Sequence, residues 1–199
     1  MEYWYLWLIF IVLCVVTAIV LKKASGALQQ HNEDTKKMYD EISRLKALKD
    51  KYKNADAAML AEADADELLE GMQAVLQAKI ERAENADACF RAFNTAQKTA
   101  YTLQFFLEDV KVGLSEFFKV NGEPLTGALV PALTEIGETE LAAVAASAYA
   151  MYDENNEEVS LDKSELARID GEFQEKFQRE SVLQNAKVYI ETHFQEISA

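Results

Sequence analysis

The chain has 199 residues, half of them hydrophobic, and 34 acidic against 20 basic side chains give a net charge of −14. That excess argues against direct nucleic-acid binding, because each phosphate contact calls for a cation, and it favours basic protein surfaces as partners. With only two prolines and seven glycines, and with Ala, Leu, Glu, Lys and Gln filling most positions, a many-turned β fold is disfavoured and an all-α chain is predicted.

The first predicted element is a transmembrane helix. Tyr3 to Leu21 carries no charge, and Thr17 is its one clearly polar residue. Nineteen helical residues at ~1.5 Å each reach roughly 28 Å, close to a hydrocarbon core of ~30 Å. Tyr3, Trp4, Tyr5 and Trp7 crowd one end, where amphipathic rings favour the headgroup layer. A cleaved signal peptide would carry its basic residues first. Here Glu2 precedes the apolar run and Lys22 and Lys23 follow it, although Ala24, Ser25, Gly26 and Ala27 have the size of a cleavage site. Basic residues after the span and none before it place the remainder of the chain in the cytoplasm and the N-terminus outside.

The expected organisation is a transmembrane anchor at 1–23, touching membrane lipid through residues 3–21, then a basic helical neck and linker at 24–63, then an acidic all-helical domain at 64–199. From Lys22 to Lys53 nine basic residues face five acidic ones, a net +4; from Asn54 to Ala199 eleven face 28, a net −17. In the neck, Met38, Ile42, Leu45 and Tyr52 recur at a- and d-like spacing, interrupted by Lys49. Barely two heptads favour a solvated spacer over a coiled coil, with a homo-oligomer through the neck as the alternative.

Asn54 to Asp66 is rich in alanine and acids and reads as a linker or weak helix. Asp64 or Asp66 is placed to cap a helix to about Ala83, with Leu68, Leu69, Met72, Val75, Leu76 and Ile80 on one face. A second helix is predicted from about Ala88 to Val110, the most buried of all, with Phe90, Phe93, Ala96, Ala100, Leu103 and Leu107 at helical spacing. Gly113 precedes a short helix, Leu114 to Val120, and Asn121 to Pro124 is a turn signal. Thr126 to Ile136 forms another helix, with Gly137 suited to its C-terminal cap. Thr139 then caps a helix of small residues, Leu141 to Tyr152. Asp153 to Asp162 is an acid-dense loop, and Ser164 to His193 is the last helical region.

No catalytic, cofactor or metal site emerges. The two histidines, His31 and His193, lie in distant segments, and no CxxC or HExxH spacing exists. Cys14 and Cys89 do not suggest a disulfide. The run beginning at Asp153 has Glu158 and Ser164 where a calcium loop needs Gly and Glu. There is no nucleophile elbow and no Gly-rich phosphate loop. Glu108 and Asp109 are adjacent, so they diverge on a helix rather than share a proton.

The stretch FNTAQKTAYTLQFFLEDVKVGLSEFFKVNGEPLTGALVPALTEIGETELAAVAASAYAMY resembles the domain family named after a bacterial DNA-mimic protein. The matching residues are Glu108, Val110, Gly113, Phe117, Phe118, Asn121, Gly122, Ile136 and Gly137, and Phe173, Phe177, Tyr189, Ile190, His193 and Phe194 are similar to the family's last helix. The resemblance covers about residues 88–197. Lys111-Val112-Gly113 departs from the family's usual Asn-Gly-Gly, which bears on any binding surface there. The resemblance implies a compact helical domain and a protein-binding role. The expected function is a bacterial inner-membrane, single-pass protein whose cytoplasmic acidic module binds a basic protein partner, with imitation of nucleic-acid charge as one form of that binding. The alternatives are a carboxylate-based metal-dependent enzyme and a structural envelope protein. Partner-binding residues are expected in the acidic loop, at Asp153, Glu154, Glu157 and Glu158, and in the segment carrying Gly113, Phe117, Phe118, Asn121 and Gly122.

Overall fold

Helix is the only regular structure among the described residues of the computed structural model, which are 34–151 and 163–199. The membrane span expected at 3–21 and the loop acids Asp153, Glu154, Glu157 and Glu158 lie outside them. Among the described residues no helix is long and apolar enough to cross a membrane. The chain divides into two compact units, Met1–Arg44 and Leu45–Ala199. Helix α1 covers residues 34–52. Its residues in the first unit leave Met38, Tyr39 and Ile42 exposed.

The second unit begins nineteen residues before the expected boundary at 64. Leu48, Tyr52, Ala55, Leu60 and Ala63 all belong to its core. Tyr52 is the reason. Its ring is fully buried against the backbone of Gly71, where a Cβ would stand 2.1 Å from the ring's Cδ2. The Tyr52 hydroxyl donates to Glu67 Oε1 at 2.8 Å, and Lys51 pairs with the same carboxylate. A glycine inside a helix is usually a cost relative to alanine; here it is the seat for an aromatic ring. The segment read as a linker or weak helix contains helix α2, Ala57–Glu62, capped by Asp56.

Helix α3, Ala65–Ile80, starts at Asp64, whose side chain accepts from the backbone N–H groups of Asp66 and Glu67. The expected helix from Ala88 to Val110 is two helices, α4, Ala86–Ala92, and α5, Thr95–Asp109. Asn94 divides them, because it makes a reciprocal capping box with Gln97, satisfying N–H groups that a continuous helix would use internally. The same two side chains donate to the carbonyls of Glu196 and Ile197, at 2.9 and 3.2 Å. The start of α5 thereby satisfies the last turn of α10, Arg179–Ser198.

Helices α6, Leu114–Val120, and α7, Leu125–Glu135, follow. Gly137, at φ +80°, closes α7. Its N–H reaches the Thr134 carbonyl, and the Glu138 N–H reaches the Leu133 carbonyl at 2.9 Å, the paired bonds of a Schellman motif. Helix α8 is Thr139–Met151 and α9 is Lys163–Lys176. The last helical region thus holds two helices, separated at Phe177 and Gln178, with a kink at His193. The His193 ring stacks on Tyr189 at 4.2 Å. Helix α5 lies at the centre, packed against α3, α7 and α10. Phe106 on it meets Phe117, Phe173 and Phe177 edge-on, with ring centroids about 6 Å apart.

Candidate partner-binding surface

Gly113 is buried, and its role is spatial. The Asp170 carboxylate, carried by α9, lies so close that a Cβ on Gly113 would stand 2.8 Å from it. Asp170 accepts from the Ser115 N–H at 2.8 Å and from the Ser115 hydroxyl at 2.6 Å. Helix α6 has no cap from its own preceding residue; a carboxylate 55 residues away satisfies its first turn. Asn121 closes the other end, donating to the Phe117 carbonyl at 2.9 Å and to Asp109 at 2.7 Å.

Phe117 and Phe118, expected at a partner surface, are core residues with 0 and 3 % exposure. The pair packs edge-on at 5.4 Å, and Phe118 lies beside Tyr149 at 6.3 Å. Burial gives both rings a packing role and leaves neither free to touch another molecule. The exposed part of the segment is Gly122, Lys111, Val112, Lys119 and Val120, with Val112 the most open of the apolar ones at 76 %. The departure from the family at Lys111 and Val112 therefore sits at the surface. The Val112 carbonyl accepts from Gln174 at 3.4 Å.

The acids from Asp64 to Glu70 are not a bare charged face. Asp64 is spent on capping α3, Glu67 is held by Lys51 and Tyr52, and Asp66 receives the Arg179 guanidinium in a two-armed pair. Arg179 and Lys51 are both held more firmly protonated by these hydrogen bonds. Exposed carboxylates elsewhere include Glu62, Glu84 and Asp87. Among the described residues no group of three or more His, Cys, Asp or Glu is placed to hold a metal ion.

Sequence reading missed Asp170 altogether, because nothing near it in the chain marks it as a cap for residues 55 positions earlier. It also missed Glu123. That carboxylate accepts from the Thr126 hydroxyl at 3.0 Å and the Tyr149 hydroxyl at 2.7 Å, and it lines one cavity with Arg91 and Lys98. Gly127, where a Cβ would stand 2.9 Å from Glu123 Oε2, was the available signal.

No curated protein and no solved structure matches the chain. A family model described as DMP19-like protein matches residues 91–193, just over half of the chain and the part that runs from the end of α4 to the kink of α10. The resemblance read from the paired aromatics, the Asn-Gly turn and the Ile-Gly helix end is thereby established, and the chain belongs to the DMP19-like protein family.

Proposed function

We propose that this chain is an acidic helical interaction module, not an enzyme, whose partner is a basic protein surface of the kind that otherwise meets nucleic acid. The charge distribution carries the reading: residues 54–199 hold 28 acids against eleven bases. Family membership supports it, since the family takes its name from a DNA mimic. The internal pairing of Asp66 and Glu67 directs attention to other acids, the loop at 153–158 among them. In this proposal residues 3–21 tether the module to the bacterial inner membrane with the domain in the cytoplasm.

Cross-linking in membranes followed by capture of the full-length chain tests the reading. A basic, DNA-binding protein is the expected partner. Attraction between exposed charges is screened beyond ~8 Å at physiological salt and acts mainly on association rate. Changing Asp153, Glu154, Glu157 and Glu158 to the amides should therefore slow association of that partner and flatten its salt dependence, with little effect on release. An unchanged rate with no dependence on salt would reduce the acidic excess to a solubility feature.

A further inference from the structure

Helices α4, α5, α7 and α8 line a cavity of about 430 Å³, within the ~300–1,000 Å³ usual for small-molecule sites. Two of its lining residues are cations, Arg91 at the end of α4 and Lys98 on α5. Several cations of the second unit are held by a carboxylate, among them Lys51, Lys119, Arg168, Lys176, Arg179 and Lys187. Arg91 and Lys98 make no ion pair among the described residues, although Lys98 is half-buried. Two unpaired cations beside one concavity make a site for negative charge.

The α7–α8 side is of opposite character. Glu123 is held there by the Tyr149 and Thr126 hydroxyls, both on Oε1. Gly127 leaves its carboxylate room. Pro131, four residues further along α7, has no N–H, so the Gly127 carbonyl lacks its helical donor. Both residues line the cavity. Cations and hydrogen-bond acceptors therefore line the same cavity. Phe90, buried to 5 % exposure, and Pro131 add apolar surface to the lining.

We propose that this cavity binds a small organic acid with an apolar body and a hydrogen-bond donor. The acid group pairs with Arg91 and Lys98, the body packs on Phe90 and Pro131, and the donor reaches Glu123 and the Gly127 carbonyl. Charge-assisted hydrogen bonds are about twice as strong as neutral ones, and apolar walls strengthen them further. The site uses none of the acids invoked for partner binding, so it stands or falls independently of that role.

Calorimetric titration of the full-length chain with phenyllactate, hydrocinnamate and phenethylamine tests the proposal. Phenyllactate should bind saturably, hydrocinnamate, which lacks the hydroxyl donor, more weakly, and phenethylamine not at all. The double variant Arg91→Gln, Lys98→Gln should weaken phenyllactate by at least about tenfold, the loss of one charge-assisted hydrogen bond. An unchanged thermal melt of that variant would show that folding is intact. Absence of saturable binding by either acid, equal affinity in the double variant, or binding of the amine as tight as the acids would overturn the site. Equal affinity of the two acids would overturn the assigned role of Glu123 and Gly127.

Discussion

Thr102 on α5 is fully buried, and its hydroxyl has no hydrogen-bond partner among the described residues. A hydroxyl stripped of water and left unanswered costs about 1–3 kcal/mol. Thr102→Val keeps the branched shape and removes that oxygen, so it should stabilise the fold by ~1 kcal/mol, read as a higher urea midpoint at unchanged slope. A lower midpoint would mean that the hydroxyl is satisfied in solution. One residue earlier, burial pushes the Tyr101 hydroxyl up to about 12 from an ordinary 10.0, with Glu81 and Cys89 adding to the shift. The folded state then keeps a proton that the unfolded state releases. This contribution is complete below pH 10 and disappears as pH climbs through about 12. Tyr52 and Tyr189, raised for the same first reason, act in the same direction. Stability should therefore fall on the alkaline side, and Tyr101→Phe should make that fall shallower in a series of unfolding curves. The variant also loses the hydrogen bond from the Tyr101 hydroxyl to Gln77, at 2.6 Å, so its stability near neutral pH should drop slightly.

Among the elements, the end of α1 and the short α2 decide where the folded unit begins. Tyr52 rests on Gly71, and Leu48, Leu60 and Ala63 join the same core. Lys187 on α10 adds bonds to the carbonyls of Ala61 and Ala63, at 2.9 and 2.6 Å, which hold the end of α2. A chain starting at Leu45 should melt cooperatively with nearly full stability. One starting at Asp64 leaves an aromatic-sized gap beside Gly71, and removal of a buried aromatic ring alone costs about 3–5 kcal/mol. Circular dichroism melts of the two truncations give the comparison; equal midpoints would place residues 45–63 outside the core. The helices themselves were legible from apolar spacing, and Asp64 and Gly137 were legible as caps. The break at Asn94 was not. The apolar period runs through it from Phe90 to Leu107, and only the capping box with Gln97 shows that the chain turns there.

For the whole molecule, the question is where an acidic unit is held. The lysines flanking residues 3–21 argue for a cytoplasmic domain. Protease added to intact spheroplasts should leave the domain whole and cut it only after lysis. Digestion before lysis would reverse the orientation. The acidic excess is also distributed differently from its appearance in sequence. Asp66 and Glu67 are neutralised by Arg179 and Lys51, partners 113 and 16 residues away. A dense run of acids in the chain is therefore not equivalent to a dense patch on the surface.

Sequence alone determined the all-α class, most of the apolar helix faces, the charge imbalance and the family. These depend on composition and on regularities that repeat within a turn or two of helix, where neighbours in sequence are neighbours in space. Tertiary structure alone decided the start of the folded unit, the capping of α6 by Asp170, the burial of Phe117 and Phe118, and the meeting of Arg91 and Lys98 with Glu123 around one cavity. Each of these joins residues far apart in the chain, and local periodicity carries no information about which distant side chain will arrive. Gly71 and Gly113 record two such arrivals in the sequence, one an aromatic ring and the other a carboxylate, but a glycine marks only that space is needed, and the packed fold shows what fills it.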